Sequence, residues 1–372
     1  FIMKKKLLSL LAVSAITVTL FAGCGSSSST GDATGTDAKV KVGMVTDSGT
    51  IDDKSFNQGT WEGIEKAQKD FSLQDPKYLK PSGETKADYL KEIGNLYDAG
   101  YRLIATPGFK FETAVYEAQD KYQDAKFVII DGTPNDGAEK DPVVKVSDNA
   151  VSILFAEQQA GFVAGVATSV ELKEGSLGFI GGMKIPAVQK FNWGFQQGVA
   201  YANANLGTKM TLDKENVIYQ GTFNDVAAGT QLANAMYDRG VKAIFCAAGG
   251  VGNGVITAAK TQVDSGKNVW VVGVDRDQYD DGKYADGKSV VLTSAIKKVD
   301  SASYDMVKQV LDGNFPGGKT LTFDITKDAV GIPAENPNLS ADTMKVVDEL
   351  YGKLKDGSIT VKDNNDDNSL FE

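Results

Sequence analysis

Histidine is absent from the 372 residues, and this absence excludes several classes of enzyme. Without histidine the chain cannot build a Ser-His-Asp or Cys-His catalytic group, nor a zinc site that uses an imidazole ligand. A hydrolase that works with carboxylates alone, or with a serine and a lysine, remains open. Cysteine is scarce too, since the chain has two, Cys24 and Cys246. Cys246 lies in an apolar run and is predicted to be a buried core residue.

Positive charge is also in short supply. The chain has 39 Lys and Arg against 49 Asp and Glu, which gives a net charge of −10. A nucleic-acid-binding protein needs a basic stripe that neutralises phosphates, so no nucleic-acid partner is expected. The last residues, 361–372, are rich in Asp and Asn and are predicted to form a solvated acidic tail.

The first residues have the layout of a bacterial secretory leader. Met3 is followed by three lysines and by an apolar run from Leu7 to Ala22, which is shorter than the roughly 20 residues of a membrane-spanning helix. The run ends in a lipobox-like segment, which implies a signal peptide over 1–23 and a lipid such as palmitate on Cys24. The alternative is an uncleaved anchor helix with an incidental cysteine. Residues 24–37 are rich in Ser, Thr and Gly and predict a flexible tether.

The rest of the chain, from about residue 38, alternates β-branched runs with amphipathic stretches. Phe127–Ile130 is apolar throughout, as in a strand buried on both faces, whereas Phe56–Phe71 has apolar residues at helical spacing. Strands that alternate with helical stretches of about 10–15 residues predict an α/β fold with parallel sheets.

Two such sheets follow one another, which predicts two Rossmann-like lobes and a hinged cleft between them. The Ala- and Gly-rich segment Ile153–Val170 is expected as a helix between the lobes. We expect an N-terminal lobe of residues 38–150 and about 298–320. The C-terminal lobe is expected to contain residues 151–297 and about 321–360, including a strand at Leu321–Ile325.

Polar and aromatic residues follow the predicted strands. In open parallel sheets, ligands bind beyond the carboxyl ends of the strands. The residues at those ends are Asp47, Phe109, Asp131, Gly181–Gly182, Phe223, Gly249–Gly250 and Asp275. This set suits a polar ligand that carries a ring, rather than a metal ion or an anion, so neither a metal nor a cofactor is expected.

Phe56 and the glycine-rich segment 249–254 each allow a second interpretation. Phe56 begins a predicted helix, and an aromatic residue at helical spacing is more often a core residue than a ligand contact. The glycine-rich segment 249–254 lies between a strand and a helix, where phosphate loops lie. It lacks the Gly-Lys-Ser/Thr ending of such loops and the Gly-x-Gly-x-x-Gly spacing, which favours close backbone approach to a sugar.

Several motifs resemble the basic membrane protein (BMP) family of nucleoside-binding lipoproteins. The similarity runs through the whole body in order and spacing, and its motifs are Val45-Thr46-Asp47, Asp52-Asp53-Lys54-Ser55-Phe56-Asn57-Gln58, Ala105-Thr106-Pro107-Gly108-Phe109, Val128-Ile129-Ile130-Asp131, Gly178-Phe179-Ile180-Gly181-Gly182, Ala248-Gly249-Gly250-Val251-Gly252 and Gly273-Val274-Asp275-Arg276-Asp277-Gln278. The resemblance implies a type I periplasmic-binding-protein fold that clamps a purine nucleoside such as guanosine, inosine or adenosine.

The resemblance also implies roles for single residues. Phe56 and Phe223 would sandwich the base, and Asp47 and Asn57 would hydrogen-bond its polar edge. Asp275 would accept the ribose hydroxyls, beside the backbone of Gly249 and the side chain of Lys297. Asp131 is added because it ends a strand at the same sheet edge, and Phe109 is a candidate for the cleft wall; for Lys297 the alternative is an ordinary surface lysine.

The function implied by this resemblance is solute capture for an ABC importer outside the cytoplasm. Its partners would be the nucleoside, a permease and an ATPase, with the membrane reached through the lipid on Cys24. Carboxylates in the cleft would repel phosphate, so nucleosides are expected to be preferred over nucleotides. Two alternatives remain open from the residues, namely a receptor of the same fold for a sugar or another small solute, and a nucleoside-hydrolysing enzyme.

Overall fold

The computed structural model describes residues 40–372, which form twelve strands and nine α-helices. The strands are β1 (Val42–Val45), β2 (Lys77–Leu79), β3 (Leu103–Pro107), β4 (Lys126–Ile130), β5 (Ala150–Phe155), β6 (Glu174–Gly181), β7 (Lys209–Tyr219), β8 (Val241–Ala247), β9 (Trp270–Asp275), β10 (Val291–Lys297), β11 (Lys319–Phe323) and β12 (Val330–Gly331). The helices are α1 (Phe56–Phe71), α2 (Lys86–Asp98), α3 (Glu112–Lys121), α4 (Glu157–Leu172), α5 (Pro186–Asn205), α6 (Val226–Asp238), α7 (Gly250–Asp264), α8 (Val299–Leu311) and α9 (Ala341–Lys355). The predicted leader, Cys24 and the tether lie outside the described residues.

The strands build two six-stranded sheets, as the alternating pattern predicts. The first has the order β11-β5-β4-β3-β1-β2 and is parallel throughout. The second has the order β12-β10-β9-β8-β6-β7, in which the short β12 pairs antiparallel with β10. Central strands such as β3 and β8 are almost wholly buried, which explains their continuous apolar runs. The predicted fold class, α/β with two mostly parallel sheets, is confirmed.

Sheet pairing places two segments differently from the expected lobe boundaries. Residues 150–155 are a strand of the first sheet rather than the start of a helix, and α4 begins after them at Glu157. Residues 319–323 also belong to the first sheet, where β11 pairs with β5, whereas a strand of the second lobe was expected at 321–325. β5 is short and mostly apolar, whereas β11 is a five-residue edge strand in which polar and apolar side chains alternate. In neither strand does the sequence pattern reveal which sheet it joins.

Three neighbouring segments connect the lobes. They follow β5, β10 and β11, and backbone hydrogen bonds bind them together. Ala156 donates its N–H to Phe323, at 2.9 Å, and Lys298 donates to Ala329, also at 2.9 Å. Side-by-side crossing segments of this kind form a hinge about which two lobes can move.

Helices α4 and α5 pack at very short range in the second lobe. A Cβ atom at Gly161 of α4 would lie 2.3 Å from the carbonyl oxygen of Phe191, and one at Gly194 of α5 would lie 2.0 Å from that of Gln158. Glycine is therefore required at both positions, and this accounts for the small residues of the segment. The close contact fixes the first half of α5 beside the start of α4, which is Glu157.

The C-terminal segment 361–372 corrects one expectation. Its aspartates are exposed, but its ends are attached to α5 rather than free in solvent. Gln196 exchanges two hydrogen bonds with the backbone of Phe371, at 2.8 and 2.9 Å, and Val361 is buried. Side-chain amides on α5 make these bonds with backbone groups of the tail. The acidic composition of the tail does not reveal such contacts, so the sequence predicted a free end. Cys246 is buried, as predicted.

Candidate functional site

A cavity of about 610 Å³, including the space open to solvent at its mouth, lies between the lobes at the carboxyl ends of the strands. Such a volume is within the range of roughly 300–1,000 Å³ that small-molecule sites occupy. The cavity walls include all of the residues predicted as ligand contacts, namely Asp47, Phe56, Asn57, Phe109, Asp131, Phe223, Gly249, Asp275 and Lys297. The structure thus brings together residues spread over 250 positions of sequence.

On the first lobe, the loop between β1 and α1 carries a network of buried polar groups. The amide nitrogen of Asn57 donates to Asp47 Oδ1 and to Asp53 Oδ2, both at 2.9 Å, and Asp47 N–H donates to Asn57 Oδ1 at 3.3 Å. Asn57 therefore orients the Asp47 side chain through hydrogen bonds. Burial raises the pKa of the Asp47 carboxyl, and the hydrogen bonds from Gly49 N–H and Asn57 lower it in part.

Asp53 is a cavity residue that the sequence reasoning did not assign to the site. Its carboxylate accepts hydrogen bonds from the backbone N–H groups of Ser55, Asn57 and Gln58, at 2.9–3.1 Å, and so satisfies the first turn of α1. The sequence signal that could have identified it is its position just before the predicted helix that starts at Phe56, where an aspartate is a favourable cap. The adjacent Asp52 instead accepts from the Thr50 hydroxyl.

Two phenylalanines face the cavity from different lobes. Phe56 is the first residue of α1, and Phe223 lies in the loop between β7 and α6; both are half-buried. Phe56 contacts the core as well as the cavity. It is therefore both the core residue that its helical spacing predicts and a residue of the cavity wall. A Cβ atom at Gly182 would lie 2.3 Å from the Phe223 ring, so this glycine provides the space behind the ring.

Lys297 is buried at the centre of the site. The alternative interpretation of Lys297 as an ordinary surface lysine is therefore wrong. Its ammonium group is hydrogen-bonded to Asp131 and lies 3.6 Å from Glu157 Oε1 and 3.8 Å from Asp275 Oδ1. The rings of Phe56, Phe191 and Phe155 lie 4.9, 5.5 and 5.7 Å from the nitrogen. Cation–π attraction and three carboxylates therefore hold the charge in place.

One ammonium group cannot neutralise three buried carboxylates, and the pKa values follow from this imbalance. Burial raises the pKa of Glu157 to about 7, although Lys297 lowers it, and burial raises the pKa of Asp275 to about 6. For Lys297, burial lowers the pKa, but Asp131 and Asp275 raise it by more, so the pKa lies above its ordinary value. The amine is charged, and Glu157 and Asp275 release their protons at higher pH than ordinary carboxyl groups do.

The two strand-end aspartates have backbone conformations that few residues adopt. Asp131 has φ of 59° and Asp275 has φ of 65°, both in the left-handed region that aspartate tolerates better than most side chains. Asp275 Oδ2 also accepts a hydrogen bond from the Ser55 hydroxyl of the opposite lobe, at 2.5 Å. Gly249, with φ of 54°, immediately precedes α7 and lies beside Phe223.

An apolar wall from α5 completes the site. Ile185, Ala187, Val188 and Phe191 line the cavity, and sequence reasoning did not assign them to it, because apolar residues at a helix start resemble core residues. Phe109 lies opposite, in a 3₁₀ turn that precedes α3. In residues 40–372 no group of acidic or cysteine side chains is arranged to hold a metal ion. The cavity thus offers rings, apolar surface, acceptors and one neutralised cation.

Several hydrogen bonds join the lobes directly beside the cavity. The buried Gln278 donates from Nε2 to the carbonyl oxygen of Lys54, at 2.7 Å, and Asn253 donates to that of Asp53, at 3.3 Å. Arg276 also lies 3.6 Å from Glu62 of α1. The described conformation is therefore closed around the site.

Comparison with known proteins gives the family. Residues 40–365 match the Bmp family, described as ABC transporter substrate-binding protein PnrA-like. A "CD4+ T-cell-stimulating antigen" of Listeria innocua is 37% identical, over 96% of this chain and 99% of the relative. An "ABC transporter nucleoside-binding protein BmpA" of Lactococcus lactis is 33% identical over the same shares.

Solved structures agree on the fold. An ABC transporter solute-binding protein from Aeropyrum pernix superposes with a TM-score of 0.73 at 22% identity, over 88% of this chain and 95% of that one. Among the helices of residues 40–372, none combines the length and the apolar character needed to cross a membrane. The chain belongs to the Bmp family of PnrA-like ABC transporter substrate-binding proteins, so the resemblance found in its sequence motifs is confirmed.

Proposed function

We propose that this substrate-binding protein captures purine nucleosides outside the cytoplasm and delivers them to an ABC permease and its ATPase. The observation that carries the proposal is the pair of rings, Phe56 and Phe223, which approach one cavity from separate lobes. A flat base stacked on both rings would gain about 1–3 kcal/mol per contact, and the second contact exists only when the lobes are closed.

The remaining walls support a nucleoside over other ligands. Asn57 holds Asp47 at the cavity, where its carboxylate would accept hydrogen bonds from the edge of a base. Asp275, with its two oxygens, is a suitable acceptor for vicinal ribose hydroxyls. The carboxylates outnumber the single buried ammonium of Lys297, so a phosphate would be repelled. These features favour guanosine, inosine and adenosine over their nucleotides.

Calorimetry with inosine and guanosine tests the proposal, using Phe223→Ala as the variant. Loss of the ring should weaken binding by about 1–3 kcal/mol, and Tyr at the same position should keep most of the affinity. Equal affinity in the wild-type protein and the alanine variant would contradict the sandwich. Incubation with inosine should release no hypoxanthine, whereas a hydrolase would produce it.

The proposal includes a lipid anchor at Cys24. In membrane fractionation of cells that produce the full chain, Cys24→Ala should move the protein from the membrane to the soluble fraction. Continued membrane attachment of that variant would favour an uncleaved anchor helix instead.

A further inference from the structure

A second cavity opens beside the ligand cavity, past Asp131 and Phe109. Its volume is about 720 Å³ with the space open to solvent. Phe109, Asp131, Ile185 and Ala187 line both cavities, so the two are adjoining compartments. We call the second one the side cavity; the residues that line it alone are Glu112, Gly132, Thr133, Leu154, Phe155, Glu157, Pro186 and Lys190.

Two buried carboxylate oxygens at the side cavity lack a donor. Asp131 Oδ1 and Glu157 Oε2 have no hydrogen-bond partner within residues 40–372, and their side chains are 8% and 2% exposed. Lys190 Nζ lies 3.9 Å from Glu157 Oε2, which is too far for a hydrogen bond. A buried acceptor without a donor destabilises the protein, and a ligand that carries a donor removes this cost.

The charges around the side cavity define the kind of donor. The third acid, Glu112, already accepts from Thr133 N–H and from the Asn135 amide, both at 2.9 Å. The acids that remain, Asp131 and Glu157, face Lys297 and Lys190. Acceptors without donors favour an amine or a hydroxyl, and a phosphate would place further negative charge beside them.

The proposed ligand orientation connects the two compartments, so this inference rests on the proposed function. With the base between Phe56 and Phe223 and the diol at Asp275, the remaining exocyclic group of the sugar is its 5′-hydroxymethyl. Asp131 and Lys297 are in contact at the sugar end of the cavity, and Asp131 borders the side cavity. We infer that the side cavity is a second compartment of the ligand site, which accepts a hydrogen-bond-donating extension at the 5′ end of a bound nucleoside.

Three ligands test this inference by calorimetry on the wild-type protein at about pH 8, where Glu157, whose pKa is about 7, is mostly ionised and can only accept hydrogen bonds. They are inosine, inosine with a 2-aminoethylamino chain in place of the 5′-hydroxyl, and the same compound with a butyl chain that carries no donor. The amine chain should bind about tenfold more tightly than the butyl chain, because it supplies donors to buried carboxylates. In Glu157→Gln, which removes one of these carboxylates, this preference should shrink at least threefold.

Leu154→Trp provides a variant outside the ligand cavity, since Leu154 lines the side cavity alone. The indole should fill the side cavity, so that affinity for the amine chain falls at least tenfold while affinity for inosine is retained. Leu154→Ala is the matched control and should bind both ligands, and inosine binding by Leu154→Trp shows that it is folded.

The outcomes separate this inference from the proposed function. Failure of inosine to bind the wild-type protein would refute the proposed function and this inference with it. Inosine binding without a preference for the amine chain would refute the inference alone, as would a Leu154→Trp variant that binds both ligands as the wild-type protein does.

Discussion

At the scale of residues, the site depends on how Lys297 is held. Its charge is buried among three carboxylates and three rings, so it cannot act as a free cation for an anionic ligand. A buried ion pair of this kind contributes little net stability, but it fixes the positions of Asp131 and Asp275. The cluster is therefore better suited to position hydrogen-bond acceptors than to attract ligands over long distances.

Glu157 should make the stability of the protein depend on pH. Its pKa rises from 4.5 to about 7 because of burial, opposed by Lys297, increased by Asp131 and opposed again by Lys190. Between those two pKa values the folded state keeps a proton that the unfolded chain releases, so the free energy of unfolding falls as pH rises.

Glu157→Gln removes this dependence without a large change in shape. Above pH 7 we expect the variant to be more stable than the wild-type protein by a few kcal/mol at most, and below about pH 4.5 the two should converge. Urea unfolding at a series of pH values measures the difference. A difference that stays constant across the series would show that folding does not shift the pKa of Glu157.

The strand-end rule and the family resemblance together predicted much of the site at this scale. Asp47, Asp131, Asp275 and Phe223 could be found because each follows a recognisable strand. Glu157 could not be found, because it begins α4 and its charged neighbours come from β10 and α5. Its burial depends on long-range packing, which has no local pattern.

At the scale of elements, helix bounds were predicted well where capping and periodicity agree. Helix α1 begins and ends at the residues predicted from its apolar spacing, Phe56 and Phe71. The short edge strand β2 and the division between β5 and α4 were not predicted. A three-residue strand such as β2 has too few side chains to show a period. The Ala and Gly residues of α4 are needed for close packing against α5, and they give no apolar periodicity that would mark where the helix begins.

The α4–α5 contact predicts that replacing a glycine at the contact destabilises the protein, whereas replacing a helix glycine elsewhere does not. In Gly161→Ala, the new methyl group would lie 2.3 Å from the carbonyl oxygen of Phe191, a backbone atom that cannot turn away. We expect a loss of about 1–3 kcal/mol in the free energy of unfolding, together with weaker ligand binding, because Phe191 lines the ligand cavity.

Gly352→Ala is the control for this substitution. Gly352 lies in α9, and no atom would come within 4 Å of its Cβ. Alanine there should stabilise the protein by about 0.5–1 kcal/mol, since glycine is a poor helix residue. Urea unfolding of both variants measures the two effects, and destabilisation by Gly352→Ala equal to that by Gly161→Ala would contradict the close-packing argument.

At the scale of the whole molecule, ligand binding should be linked to lobe closure through contacts that never touch the ligand. Gln278 is the strongest example, because its side chain is 3% exposed and bridges the lobes to the Lys54 carbonyl. It does not line the ligand cavity. Removal of this hydrogen bond destabilises the closed state relative to the open one, and apparent affinity falls with the closed population.

Gln278→Ala should therefore weaken nucleoside binding about fivefold, which corresponds to a hydrogen bond of about 1 kcal/mol. Calorimetry gives the affinity, and small-angle X-ray scattering with saturating ligand should show the same compact state as in the wild-type protein. Gln262→Ala is the matched control, because Gln262 is also buried but bonds to Asn234 within the second lobe. It should lower stability and leave affinity unchanged. If both variants bound the nucleoside as the wild-type protein does, the Gln278 bond would be part of the folded structure but not of the closing step.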